Sequence, residues 1–240
     1  MSRLEKLING NNKFFQFMGQ AGDFIMENLL MMVFAVPEII VIRCAGRLLD
    51  MSPILTYILM FIASLPMGPA ITALNYVQLK MVRNTDSYLL RDFFHSYRQN
   101  LRQGLILMGI FMIFTVVGLL DFIVLIQNDF KAIPGHVSIP VLVVLIIIVY
   151  VFVWVFPILS HFSNTTRQTV HNAFFCSMRF FPRTLGMIAC WCIPVAMFLF
   201  MNLNAAFIIF FFIGISVPSY FCVNIYNKAF LHFEEKAETE

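Results

Sequence analysis

Long apolar runs, each bounded by charged or turn-forming residues, recur six times along the chain. The run over 139–162, IPVLVVLIIIVYVFVWVFPILSHF, holds 24 residues without an Asp, Glu, Lys or Arg. As a helix it extends roughly 36 Å at about 1.5 Å per residue, against a bilayer hydrocarbon core of about 30 Å. Runs of the same character predict helices over 24–42, 53–77, 104–126, 185–203 and 205–225. The last two are nearly continuous. A single helix of 41 residues would reach roughly 60 Å, twice the core, so Asn202-Leu203-Asn204 is read as a turn. The expected fold is all-α: a polytopic membrane protein of six transmembrane helices forming one domain over 1–240.

Between these runs the periodicity changes. Leu90, Phe94, Tyr97 and Leu101 follow the 4, 3, 4 spacing of one helical face, while Arg91, His95, Arg98, Gln99 and Arg102 take the others. That is the pattern of an amphipathic helix lying at a membrane surface. A related segment follows later. Phe93-Phe94-His95-Ser96-Tyr97-Arg98, with Arg102, recurs as Phe174-Phe175-Cys176-Ser177-Met178-Arg179, with Arg183, at an offset of 81 residues. Each copy lies between an incoming and an outgoing span. Duplication of a span, interfacial helix, span unit over 53–126 and 139–203 is therefore expected, as a parallel repeat. The two basic interfacial helices have two open roles. They anchor the bundle at anionic headgroups, to which each basic residue contributes about 1 kcal/mol, or they dock a partner through Arg91, Arg98, Arg102, Arg179 and Arg183.

Composition agrees with a bilayer setting, since 60% of residues are hydrophobic and only 12% charged. A net charge of +3 gives no reason to expect nucleic acid as a ligand, and the placement of the charges says more than their sum. Thirteen of the sixteen Lys and Arg residues fall in connections on one side of the predicted topology, leaving Arg43, Arg47 and Lys131 on the other. Basic residues resist translocation, so both termini are expected in the cytoplasm and the protein in the cell membrane. The acidic tail EEKAETE reads as a solvated end. The five Cys residues show no CxxC or zinc spacing and are expected as free thiols. The first 23 residues lack the apolar stretch of a removable signal peptide.

Few polar residues fall inside the spans, and each is costly there unless paired or hydrated. Glu27 and Asn28, near the start of the first span, are read as caps at a positive helix N-terminus. Glu38 and Asp121 fall at similar depth. They either line a vestibule for a cation or sugar, or are structural, with Glu38 paired to Arg43 or Arg47 and Asp121 snorkelling or capping a neighbour. Pro66, Gly68 and Pro69 interrupt the second span, as a hinge or substrate contact or as a structural kink. The histidines lack the i, i+4 spacing of a helical metal pair, and HExxH, GxSxG, P-loop and Rossmann glycine patterns are missing. No catalytic residue, metal or cofactor is expected.

Several of these residues also carry a resemblance. Leu65-Pro66-Met67-Gly68-Pro69-Ala70-Ile71-Thr72-Ala73-Leu74, then Asp92-Phe93-Phe94, Asn100 and Gln103-Gly104, resemble the YesL-like bacterial membrane proteins, a family of unassigned function. Pro157, Asn172-Ala173 and Pro182-Arg183-Thr184 are similar to motifs in that family's second half. The resemblance runs over about 28–185, and the GPA-x-TAL block is its most specific part. It implies a setting beside carbohydrate ABC importers and polysaccharide-utilisation enzymes, and it brings no catalytic residue. A non-enzymatic accessory or regulatory subunit of a sugar importer follows as the expected function, with permease or ATPase subunits as partners and self-association possible. The alternative is a self-contained small-solute transporter or channel with a path lined by Glu38, Asp121 and the Pro66 to Pro69 break.

Overall fold

A computed structural model describes residues 3–85, 88–127 and 135–239. The described residues fold into helices with no strand. In chain order these are α1 (Arg3–Met51), α2 (Pro53–Ser64), α3 (Met67–Val82), α4 (Leu89–Gln99), α5 (Leu101–Gln127), α6 (Gly135–His161), α7 (Thr166–Arg179), α8 (Phe181–Phe200), α9 (Leu203–Ile213) and α10 (Ser216–Thr239). Their boundaries follow local chemistry. Ser52 accepts from the Leu55 amide just before Pro53 opens α2, the position where a proline loses nothing by lacking an N–H. Thr165 and Gln168 form a capping box at the start of α7. Asn202 caps α9 at the expected turn after α8.

Five segments among the described residues are long and apolar enough to cross a bilayer: Met18–Ala45, Leu55–Val82, Leu101–Gly118, Val143–His161 and Phe181–Phe200. A sixth exists if α9 and α10, bent by 54° at their junction, count as one span. The protein is a membrane protein. Two features of these segments depart from expectation. Helix α1 begins at Arg3 and passes through Pro37 without stopping. The proline removes one hydrogen bond, and the turns on either side keep theirs. Glu27 therefore lies well inside a helix, and its reading as an N-terminal cap is wrong. The second departure is the break between α9 and α10 at Gly214 and Ile215, where one uninterrupted helix was expected.

The proline-rich block does interrupt its span, between α2 and α3. The same block brings two backbones into close approach. A Cβ placed on Gly104 would lie 2.7 Å from the Pro69 nitrogen, and one placed on Gly68 would fall on the Gly104 carbonyl oxygen. Further along, Lys80 Nζ pairs with Asp92 Oδ2 at 2.7 Å. Contacts that climb one helix as they descend the other show α4 and α5 running back antiparallel along α3. Helices α7 and α8 pack against α6: Trp154 Nε1 donates to Thr184 Oγ1 at 2.9 Å, and the Tyr150 and Phe181 rings lie 5.7 Å apart.

The burial pattern of these two hairpins agrees at an offset of 80 residues, one fewer than the sequence match. At 80, Phe93, Ser96, Gly104 and Leu107 fall on Ala173, Cys176, Thr184 and Met187, all buried, and exposed Phe94 falls on exposed Phe174. The helix ends coincide as well. Asn100 N–H donates to the Ser96 carbonyl as Phe180 N–H does to that of Cys176. At 81, Phe93 at 0% exposure would be matched with Phe174 at 40%. A one-residue slip turns a helix by about 100°, which carries a buried position onto an exposed face.

Candidate functional site

Two polar assemblies stand out, one at an end of the bundle and one inside it. The ends of α3 and α6 and the far part of α10 meet through a single carboxylate. Glu234 Oε1 accepts from Arg83 Nη2 at 3.1 Å and lies 2.6 Å from His161 Nε2. Arg83 Nε also donates to Asn227 Oδ1 at 2.9 Å, and Gln103 Nε2, near the start of α5, donates to the Asn164 carbonyl at 3.0 Å. This is the end of the bundle on which α4 and α7 begin.

The arginines singled out in the sequence fall here with different degrees of freedom. Arg91, Arg98 and Arg102 are exposed and form no ion pair among the described residues. Arg91 and Arg98 rim a shallow depression with Phe94, His95 and Gln99. Arg179 is exposed, its guanidinium 5.6 Å from the Phe233 ring. Arg183 is partly buried over the Phe180 ring at 4.9 Å, with Nη1 buried and unpartnered. The apolar stripe of α4 is not its buried face. Phe93 at 0% exposure packs with Ala70, Ala73, Leu74 and Val77 and stacks on Phe34 of α1, while Leu90 and Phe94 remain 49% and 42% exposed. Beside α7 lies a cavity of about 390 Å³ lined by Phe162, Asn172, Phe175, Cys176, Arg179 and Phe233. Burial pushes the Cys176 thiol up to about 11, with Arg179 opposing, so this thiol is neutral at physiological pH and a poor nucleophile.

The inner assembly surrounds the break between α9 and α10. Asn28 of α1 bridges it on both sides. Its Nδ2 donates to the Phe210 and Phe211 carbonyls at 3.0 and 2.7 Å, and its Oδ1 accepts from the Ile215 and Ser216 amides at 2.8 and 3.1 Å. One side chain thus satisfies donors and acceptors that a broken helix leaves unpaired in hydrocarbon. Next to it, Gln78 Nε2 donates to Glu27 Oε2 at 2.7 Å and to the Ser216 carbonyl at 2.9 Å. Glu27, Gln78 and Ser216 are each 0% exposed.

Neither Gln78 nor the role of Asn28 was read from the sequence. Adjacent Glu27 and Asn28 inside an apolar helix, and a lone Gln78 between Val77 and Leu79, were available signals, since intramembrane polar groups seek partners on facing helices. Gly214 and Pro218, which flank the break, were a signal of it as well.

The remaining candidates lie apart from this cluster. Glu38 is partly buried between the exposed Pro37 and Ile39, and forms no ion pair with Arg43 or Arg47 among the described residues. Asp121 is in α5, and its side chain lies outside the described residues, as does Lys131. Pro66 sits at the α2–α3 junction, and Gly68 and Pro69 are buried in the first turn of α3. Met67 of that turn lines a half-open cavity of about 450 Å³ together with Pro157, Pro194 and Ile215; Asn75 is its one amide-bearing lining residue.

Residues 24–122 match the model of a family described as a protein of unknown function, DUF624. The match takes in most of α1, the first hairpin and the residues of the inner cluster contributed by α1 and α3. No curated protein and no solved structure matches the chain.

Proposed function

We propose that the protein is a non-enzymatic accessory subunit that docks membrane or cytoplasmic components of a solute importer through its basic end. In this reading the bent α9–α10 pair is the sixth span, both termini and the basic end are cytoplasmic, and α4 and α7 are amphipathic helices of a duplicated unit. The observation that supports docking is the exposure of Arg91, Arg98 and Arg102, without ion pairs among the described residues, beside the exposed Leu90 and Phe94. Guanidinium groups next to apolar side chains are the residue types that concentrate binding energy at interfaces. The resemblance to YesL-like proteins suggests the partner: a permease or ATPase subunit of a carbohydrate ABC importer. The chain shows no nucleotide-binding motif, so ATP hydrolysis falls to that partner. Tagged protein at native level, extracted in mild detergent, is expected to bring down such a subunit in stoichiometric amount. Replacing Arg91, Arg98 and Arg102 together by Ala should release it while leaving the chain in the membrane. Absence of any stoichiometric partner overturns the reading.

A self-contained transporter is the alternative. What weighs against it for a sugar is the apolar lining of this cavity, which offers hydroxyl groups little beyond Asn75 and Trp191. Solute flux into liposomes that changes with Glu38→Gln or Asp121→Asn would restore it.

A further inference from the structure

The inner cluster has an unbalanced charge and an unbalanced set of acceptors. Glu27 is fully buried in a helix that crosses the membrane, and its polar contact is a neutral amide. The ion pairs among the described residues join Lys80 to Asp92 and Glu234 to Arg83 and His161, and none reaches it. Asp23, one turn earlier on α1, adds further negative charge rather than relief. Three buried oxygens in this one hydrogen-bonded group have no partner: Glu27 Oε1, Gln78 Oε1 and Ser216 Oγ. Gln78 has spent both amide hydrogens on Glu27 and the Ser216 carbonyl. Its remaining atom, like the free carboxylate oxygen, can only accept.

A buried carboxylate in a low-dielectric medium needs a compensating positive charge. A proton on Glu27 is the alternative: together with the hydrogen of the Ser216 hydroxyl it would satisfy the three oxygens without an ion, and dependence on sodium separates the two cases. A small cation would neutralise the carboxylate and draw its ligands from these unpartnered oxygens. A set of only oxygen donors with one carboxylate suits a hard cation of single charge. We propose that Glu27, Gln78 and Ser216 bind one monovalent cation of sodium size where α1 and α3 meet the first turn of α10. Bound there, the ion joins α1, α3 and α10 beside the break that Asn28 bridges.

The test uses full-length protein in detergent or nanodiscs, with NaCl exchanged for choline chloride at constant ionic strength. Sodium is expected to raise the unfolding midpoint saturably, by about 5 °C at a hundredfold excess over Kd. Glu27→Gln keeps the shape and hydrogen-bonding reach of the side chain without its charge and should abolish that shift; Ser216→Ala should move its midpoint to higher sodium. Equal midpoints in sodium and choline overturn the proposal, as does a full sodium response in Glu27→Gln. Should Glu27→Gln fail to fold, labelled sodium binding to the wild-type chain decides. About one ion per chain, displaced by unlabelled sodium and not by choline, supports the site, and no saturable binding refutes it.

Discussion

The two hairpins, α3 with α4–α5 and α6 with α7–α8, reach the same topology by different chemistry. In the first, backbone meets backbone where Gly68 and Gly104 cross. At the positions 80 residues later stand Ile148 and Thr184, and the contact is made by side chains, Trp154 Nε1 donating to Thr184 Oγ1. The bulk also changes sides. Phe93 on the short helix faces Leu74 and its neighbours in the first unit, whereas Trp154 on the long helix and Ala173 on the short one occupy the equivalent positions in the second. Lys80 and Asp92 clip the first unit together, and Ser160 and Asn172 replace them. In a bilayer, where helix association depends on van der Waals contact and polar pairing rather than water exclusion, small residues and filled side chains are interchangeable solutions. The first draws backbones together and the second fills the gap between them.

The comparison can be broken most severely by removing the bulk. Phe93→Ala and Trp154→Ala should each cost roughly 3 kcal/mol or more through the cavity left behind, read as a fall in the unfolding midpoint of purified protein. A large effect at one residue and none at the other would mean that the bulk is not exchanged between the helices. Gly104→Ala comes next. Its methyl would meet the backbone of Pro69, so a cost of about 1–3 kcal/mol is expected, and an unchanged midpoint would disprove the close crossing. Thr184→Val keeps the shape but leaves the Trp154 N–H unpaired, at about 1–2 kcal/mol, visible also as a shift in tryptophan emission. Asp92→Asn should cost least, on the order of 0.5–1 kcal/mol, because the Lys80 pair is partly solvated; adding salt should shrink even that. The last difference is chemical. A water-soluble maleimide should label Cys176 slowly at pH 8 and faster as pH rises toward its pKa of about 11.

Much of the fold was legible because a bilayer makes strict demands of a sequence. Uncharged length gave the apolar spans, and Pro66 to Pro69 gave a break, whereas the caps at Ser52 and Thr165 emerged only from the structure. The burial of the two hairpins agrees at an offset of 80 residues and not at the 81 of the sequence match. Matching Phe93-Phe94 to Phe174-Phe175 maximises identity, while the phase of each helix is fixed by which face meets α3 or α6, information carried by the neighbour. The exposed arginines were legible as charges between spans, and Arg183 differs from them in being partly buried, with its Nη1 unpartnered.

By itself, the sequence determined a helical membrane protein with a basic end, since hydropathy and charge act along the chain. Only the tertiary structure decided what the interior polar groups do. Glu27 and Gln78 are 51 residues apart, and Asn28 and Ser216 are 188 apart. Each is an isolated polar residue until packing brings α1, α3 and α10 together. The cost of leaving such a group unpaired in hydrocarbon is fixed by its own chemistry, but its partner is chosen by the fold.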